Sequence, residues 1–233
     1  MASFSRIRRV ALLESVMQPR NAVIRLVQLV AGLFGWGVAV ALFIRGELGL
    51  GPWDAFHYGI HVQTGMTIGT ASILVGLIIV VVLLAQGVRP GLGTLLNMVL
   101  IGVFTDLLLL VIPPAPSLLL AVAYFASGIA LTGFCTGLYI GAGYGSGPRD
   151  GMMLVIAKRT GASVRRVRTL IELSALLLGW LMGGPVGIGT VVIMLTIGPS
   201  VQWGLRLFGA LPPAPYPVTD SPAGPAASSA TPP

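Results

Sequence analysis

The sequence predicts an all-α, polytopic membrane protein with about six transmembrane helices in two inverted three-helix repeats, each carrying a short re-entrant or interfacial helix. Three observations predict it. The first is composition: of 233 residues, 55% are apolar and 9% charged, with 32 glycines. A mean hydropathy of +0.92 lies outside the range of ordinary soluble domains. The second is an internal duplication. Residues 32–102 align without a gap on residues 128–198, with 20 of 71 positions identical. The identities cluster on Gly, Pro and Asp, which dictate backbone shape, so the two halves are expected to share a fold. The third is parity: three crossings per copy turn the second copy upside down relative to the first, an arrangement that recurs in secondary transporters.

A hydrocarbon core of about 30 Å takes roughly 20 apolar residues to cross as helix. Spans are accordingly predicted over 24–44, 68–86, 92–112, 117–140, 167–183 and 187–208. Residues 1–21 form a basic arm with Arg6, Arg8, Arg9 and Arg20 and no cleavage site after a short apolar stretch, so no cleaved signal peptide is expected. Membrane repeat one covers 22–112 and membrane repeat two 113–210. Residues 211–233, rich in Pro, Ala and Ser, are expected to stay disordered.

Orientation follows from Lys and Arg in short loops. The N-terminal arm and the connection bearing Arg149, Lys158, Arg159, Arg165, Arg166 and Arg168 are expected on the cytoplasmic side. The loops at 113–116 and 184–186 hold no basic residue and face outward. Both termini are then expected to be cytoplasmic, in a multi-pass membrane protein. The exception is Arg45, which stands near Glu47 and Asp54. Anionic headgroups account for the formal charge of +7, so no nucleic-acid partner is implied.

The duplicated loop is ELGLGPWDAFHYGIHVQTG at 47–65 and GYGSGPRDGMMLVIAKRTG at 143–161. In each, a Gly-rich stretch (Gly51, Gly147) precedes a proline suited to the first helical position (Pro52, Pro148). An aspartate follows in the first turn (Asp54, Asp150), and a glycine suited to a left-handed C-terminal cap closes the helix (Gly65, Gly161). Such a helix has about 13 residues, or roughly 20 Å at 1.5 Å each, too short to span. If it did cross, each repeat would have four spans and the copies would be parallel. A half-helix N-terminus favours an anion or polar substrate group, whereas an adjacent aspartate favours a cation or proton. The same pattern also suits a chain-reversing turn whose Asp caps the helix.

Acidic residues inside spans are costly and usually functional, which makes Asp106 and Glu172 candidates for proton coupling. Their repeat equivalents are Gln202 and Gly76. Glu172 is also placed for an i, i+4 pair with Arg168, and Asp106 lies near the outer headgroups. Asn97 and Gln202 are candidates for a polar path, or for contacts between helices. His57 and His61 share one helical face with Asp54, but the second copy has Met153 and Ala157 there. Interfacial aromatics are the expectation, and no metal or other cofactor is predicted. The lone Cys135 excludes an internal disulfide, and no catalytic constellation is evident, so an enzyme is not expected. The glycines of spans one and four, and the paired G-x-G-T at 91–94 and 187–190, are expected to let helices approach closely.

The tandem G-x-G-P-x-D motifs (GLGPWD at 49–54 and GSGPRDG at 145–151) and the downstream G-x-G-T elements resemble the YczE/YyaS/YitT group of bacterial integral membrane proteins over residues 22–208. That resemblance implies a cytoplasmic-membrane location and, for some members, transport. The expected function is a secondary transporter or exporter of a small organic solute, with the lipid bilayer and an unknown small-molecule substrate as partners. The alternative is a non-transporting scaffold or accessory partner of another protein or biosynthetic assembly. The glycine-rich faces also suit a homodimer or a membrane-protein partner.

Overall fold

A computed structural model describes residues 22–210. Among the described residues the chain is all-helical: α1 (Ala22–Gly46), α2 (Pro52–Thr64), α3 (Ile68–Ala85), α4 (Leu92–Val111), α5 (Leu118–Gly141), α6 (Pro148–Thr160), α7 (Val164–Leu181) and α8 (Ile188–Leu207). The basic arm and the Pro/Ala-rich segment lie outside the described residues.

Five of these helices, α1, α3, α4, α5 and α8, are long and apolar enough to cross a membrane. Large apolar side chains cover the outside, with Leu110 and Ile188 each 85% exposed. A soluble monomer does not carry such a surface, and lipid is its natural solvent. The sixth predicted span is α7, whose first half holds Arg165, Arg166, Arg168 and Glu172.

Lipid is as apolar as leucine, so helices associate through close van der Waals packing rather than through exclusion of water. Small residues make that possible here. The most extensive pairing is α1 with α5, which are equivalent helices in the duplicated sequence. Arg25 Nε donates to the carbonyl of Ala142 (2.8 Å) and Gln28 Nε2 to that of Leu138 (3.0 Å). Trp36 Nε1 donates to Thr136 Oγ1 (2.9 Å), and the Phe43 and Phe125 rings meet edge-on at 5.2 Å. As the chain ascends α1 its partner descends α5, so the two helices are antiparallel. The contact is reciprocal: a Cβ at Gly32 would strike Tyr139, and one at Gly128 would strike Phe43, the equivalent of Tyr139.

Each short helix packs on the third helix of the other half. Gly59 of α2 lies on Gly179 of α7 and on Met182, which caps it, and Gly151 of α6 lies on Leu83 of α3. Both short helices begin at the predicted prolines and end at the predicted glycines, with φ of 76° at Gly65 and 68° at Gly161.

Two basic side chains that interrupt the apolar pattern sit at helix C-termini, where free carbonyls carry partial negative charge. One is Arg25, on Ala142. The other is Arg45, whose Nη2 donates to the carbonyl of Leu109 near the end of α4. Arg45 is therefore held by a helix end.

Candidate functional site

Two Gly-rich turns bring the ends of α2 and α6 together. Gly49 and Gly145 adopt φ of 113° and 108°, a region closed to side-chain-bearing residues. The turns are gripped by the G-x-G-T elements of the opposite half. Gly189 N–H donates to the carbonyl of Leu48 (2.7 Å), and Gly93 N–H to that of Tyr144 (2.9 Å), the equivalent of Leu48. Leu50 N–H bonds the carbonyl of Pro185 (3.0 Å), and Thr94 Oγ1 that of Ser146 (2.7 Å). A Cβ at Gly189 or Gly93 would stand 2.6 or 2.7 Å from those carbonyl oxygens, so the glycines are what allow the grip. Their partner is a loop of the other repeat rather than a neighbouring helix face.

Held this way, the first turns of α2 and α6 face each other. The Arg149 guanidinium stacks over the Trp53 ring, 4.6 Å from its centroid. Asp54 and Asp150, each next in sequence to one member of this pair, flank it. Trp53, Asp54, Arg149 and Asp150 each keep part of their surface accessible, although protein surrounds them. Neither aspartate pairs directly with Arg149: among the described residues the one ion pair within 4 Å is Arg168–Glu172, at 2.8 Å. Gly51 and Gly147 are the N-caps and supply no side-chain hydrogen bond, with Pro52 and Pro148 next in each helix.

The other sequence candidates are distributed unevenly. Asn97 joins the site, since a Cβ on Gly147 would lie 3.1 Å from its Oδ1; the matching contact at Gly51 is with Ile193. Glu172 is engaged by Arg168. Asp106 anchors the start of α3, accepting from Gly69 N–H (2.8 Å) and Thr67 Oγ1 (2.6 Å). It also lines a separate cavity of about 460 Å³ with Arg45, Tyr58, His61 and Thr67. Gln202 is exposed on α8.

One sequence expectation is corrected. His57 is 2% exposed rather than interfacial, and its ring stands beside that of Trp53, 6.4 Å between centroids. Its Nε2 has no hydrogen-bond partner among the described residues. Arg149 is half-buried on Trp53, unlike the exposed Lys158, Arg159, Arg165, Arg166 and Arg168 with which the sequence groups it. Sequence reasoning passed over both Arg149 and Trp53, although they are equivalent positions in the repeat and immediately precede the duplicated aspartates.

A profile of the family of unknown function DUF6198 matches residues 23–206. The uncharacterized membrane protein YczE of Bacillus subtilis (strain 168) is 41% identical over 177 residues, covering 75% of this chain and 82% of the relative. An uncharacterized protein of Haemophilus influenzae is 38% identical over 180 residues, covering 77% and 83%. The uncharacterized protein YyaS of B. subtilis is 28% identical over 165 residues, covering 69% and 82%. No solved structure matches the chain.

Proposed function

The chain belongs to the DUF6198 family and to the YczE/YyaS group of membrane proteins, and from that premise we propose that it is a secondary transporter of a small organic solute. It acts in the bacterial inner membrane with both termini cytoplasmic, and has no enzymatic activity. In this reading α7 is the sixth span, the halves are inverted repeats, and α2 and α6 are re-entrant half-helices. The observation that carries it is the antiparallel packing of α1 on its own equivalent α5, together with the reciprocal grip of each Gly-rich turn by the opposite half. Inverted halves that exchange conformations convert an outward-open state into an inward-open one. The two half-helices, with Asp54 and Asp150 in their first turns, are the gates.

The test places single cysteines at Thr64 and Thr160 after Cys135→Ser, and labels intact cells with an impermeant thiol reagent. Both positions are exposed. Residue 64 is expected to label from outside, and residue 160 only after permeabilisation. Cytoplasmic labelling of both would make the repeats parallel and remove the gating scheme.

The exposed basic residues Lys158, Arg159, Arg165, Arg166 and Arg168 favour a second reading, a non-transporting membrane partner that docks another protein on this surface. It requires a co-purifying protein that is released on charge reversal of Arg165, Arg166 and Arg168.

A further inference from the structure

We infer that the facing first turns of α2 and α6 bind a small zwitterion, a molecule bearing one carboxylate and one ammonium, with Arg149 holding the carboxylate and Asp54 or Asp150 the ammonium. The inference deepens the transporter reading and rests on it.

Trp53 and Arg149 are equivalent positions of the two repeats, and they touch. Two equivalent residues meet only where the relation between the halves maps a place nearly onto itself. Their contact therefore marks the pseudo-two-fold axis. Arg149 sits on that axis, with Asp150 next to it in sequence and Asp54 next to its partner Trp53, yet it is in ion-pair contact with neither among the described residues. The site thus presents one cationic and two anionic groups, held apart and partly accessible.

Charge selects among ligands. Two carboxylates, one guanidinium and two helix N-termini worth about half a positive charge each come close to neutrality, and the Arg168–Glu172 pair cancels itself. A lone cation would leave the guanidinium without a partner, and a lone anion would face two carboxylates. A molecule carrying both signs gives each pole a partner, and the planar fork of arginine suits a carboxylate. A separate observation also points to a polar ligand. His57, 2% exposed, stands beside Trp53 at 6.4 Å between ring centroids, and its Nε2 has no partner among the described residues.

The test uses the full chain in lipid nanodiscs. Equilibrium binding is measured for each proteinogenic L-amino acid, its decarboxylated amine and its deaminated acid. At least one amino acid is expected to bind, with the matching amine and acid each weaker by about tenfold or more, the fold-change of one lost charge-assisted hydrogen bond. Arg149→Gln is expected to erase the advantage of the amino acid over the amine. Asp54→Asn with Asp150→Asn is expected to erase its advantage over the acid. Arg149→Lys, which keeps the charge, covers the case in which Arg149→Gln does not fold and is expected to retain the preference for the amino acid over the amine. An amine or acid that binds as tightly as its amino acid, or no binding by any amino acid, overturns the inference. Counterflow of the bound amino acid in proteoliposomes separates the two claims: binding without counterflow supports the zwitterion site and removes transport.

Discussion

Replacing Gly179 with alanine is expected to push α2 away from α7. A Cβ at residue 179 would stand 2.5 Å from the amide nitrogen of Phe56 and 2.6 Å from the carbonyl carbon of Ala55, whereas non-bonded carbon atoms settle at about 3.5–4.0 Å. Both neighbours are backbone, so no rotamer change relieves the clash and the helix itself must move by about 1 Å. Overpacking of this kind costs roughly 1–3 kcal/mol, against about 0.5–1 kcal/mol that alanine gains over glycine inside a helix. The net sign is destabilising, by about 1–2 kcal/mol. At about 2–4 °C per kcal/mol for a chain of this size, the midpoint of thermal unfolding should fall by roughly 2–8 °C. The control is Gly198→Ala, where nothing lies within 4 Å of the new Cβ. There the restriction imposed by the following Pro199 offsets most of the helix gain, so a change within about 0.5 kcal/mol is expected. Unfolding is followed by tryptophan fluorescence in a single detergent. A Gly179→Ala protein as stable as the parent, or a Gly198→Ala protein equally damaged, would refute close packing as the determinant of where α2 sits.

Asp106→Ala should lower stability by about 1.5–3 kcal/mol, because it leaves the Gly69 amide and the Thr67 hydroxyl without their charged acceptor. Asp106→Asn, which keeps an acceptor, should lose less, and an Asn variant with unchanged melting but abolished transport would instead assign Asp106 to proton coupling. A double-mutant cycle on Arg168 and Glu172 should give a coupling of at most about 0.5 kcal/mol, the range of partly exposed i, i+4 pairs. A coupling several times larger would place Glu172 in a dry, functional environment.

What the sequence disclosed was whatever adjacent residues decide. Pro52 and Pro148 start their helices because proline lacks the N–H that a first turn cannot use, and Gly65 and Gly161 end them because the cap is left-handed. The six long helices likewise fall within about three residues of the apolar runs, since hydropathy is a local property. Roles set by distant contacts were not legible. The glycines of the G-x-G-T elements read as helix-packing residues, but they receive carbonyls from about fifty residues downstream in one case and about 140 upstream in the other. Asp106 read as a charge within a span, and only the fold shows that the N-terminus of α3 meets it. Arg149 read as one more basic loop residue, because its partner Trp53 lies almost a hundred positions away.

That last contact bears on why the two copies differ. A residue on the axis between identical halves meets itself. Two arginines there would repel by about 3–4 kcal/mol at this separation, taking an effective dielectric of 20, and two tryptophans would leave Asp54 and Asp150 without a cation. Divergence at the single column of Trp53 and Arg149 avoids both outcomes, because one copy supplies the charge and the other the aromatic face that carries it. If the axis is where the contact places it, the two residues are interchangeable. Trp53→Arg should impair binding through repulsion and Arg149→Trp through loss of the cation, while the exchange Trp53→Arg/Arg149→Trp should recover at least half of the lost binding free energy. A double variant no better than Arg149→Trp alone would mean that the guanidinium is fixed to α6 by its own surroundings, and that the relation between the halves does not pass through this pair.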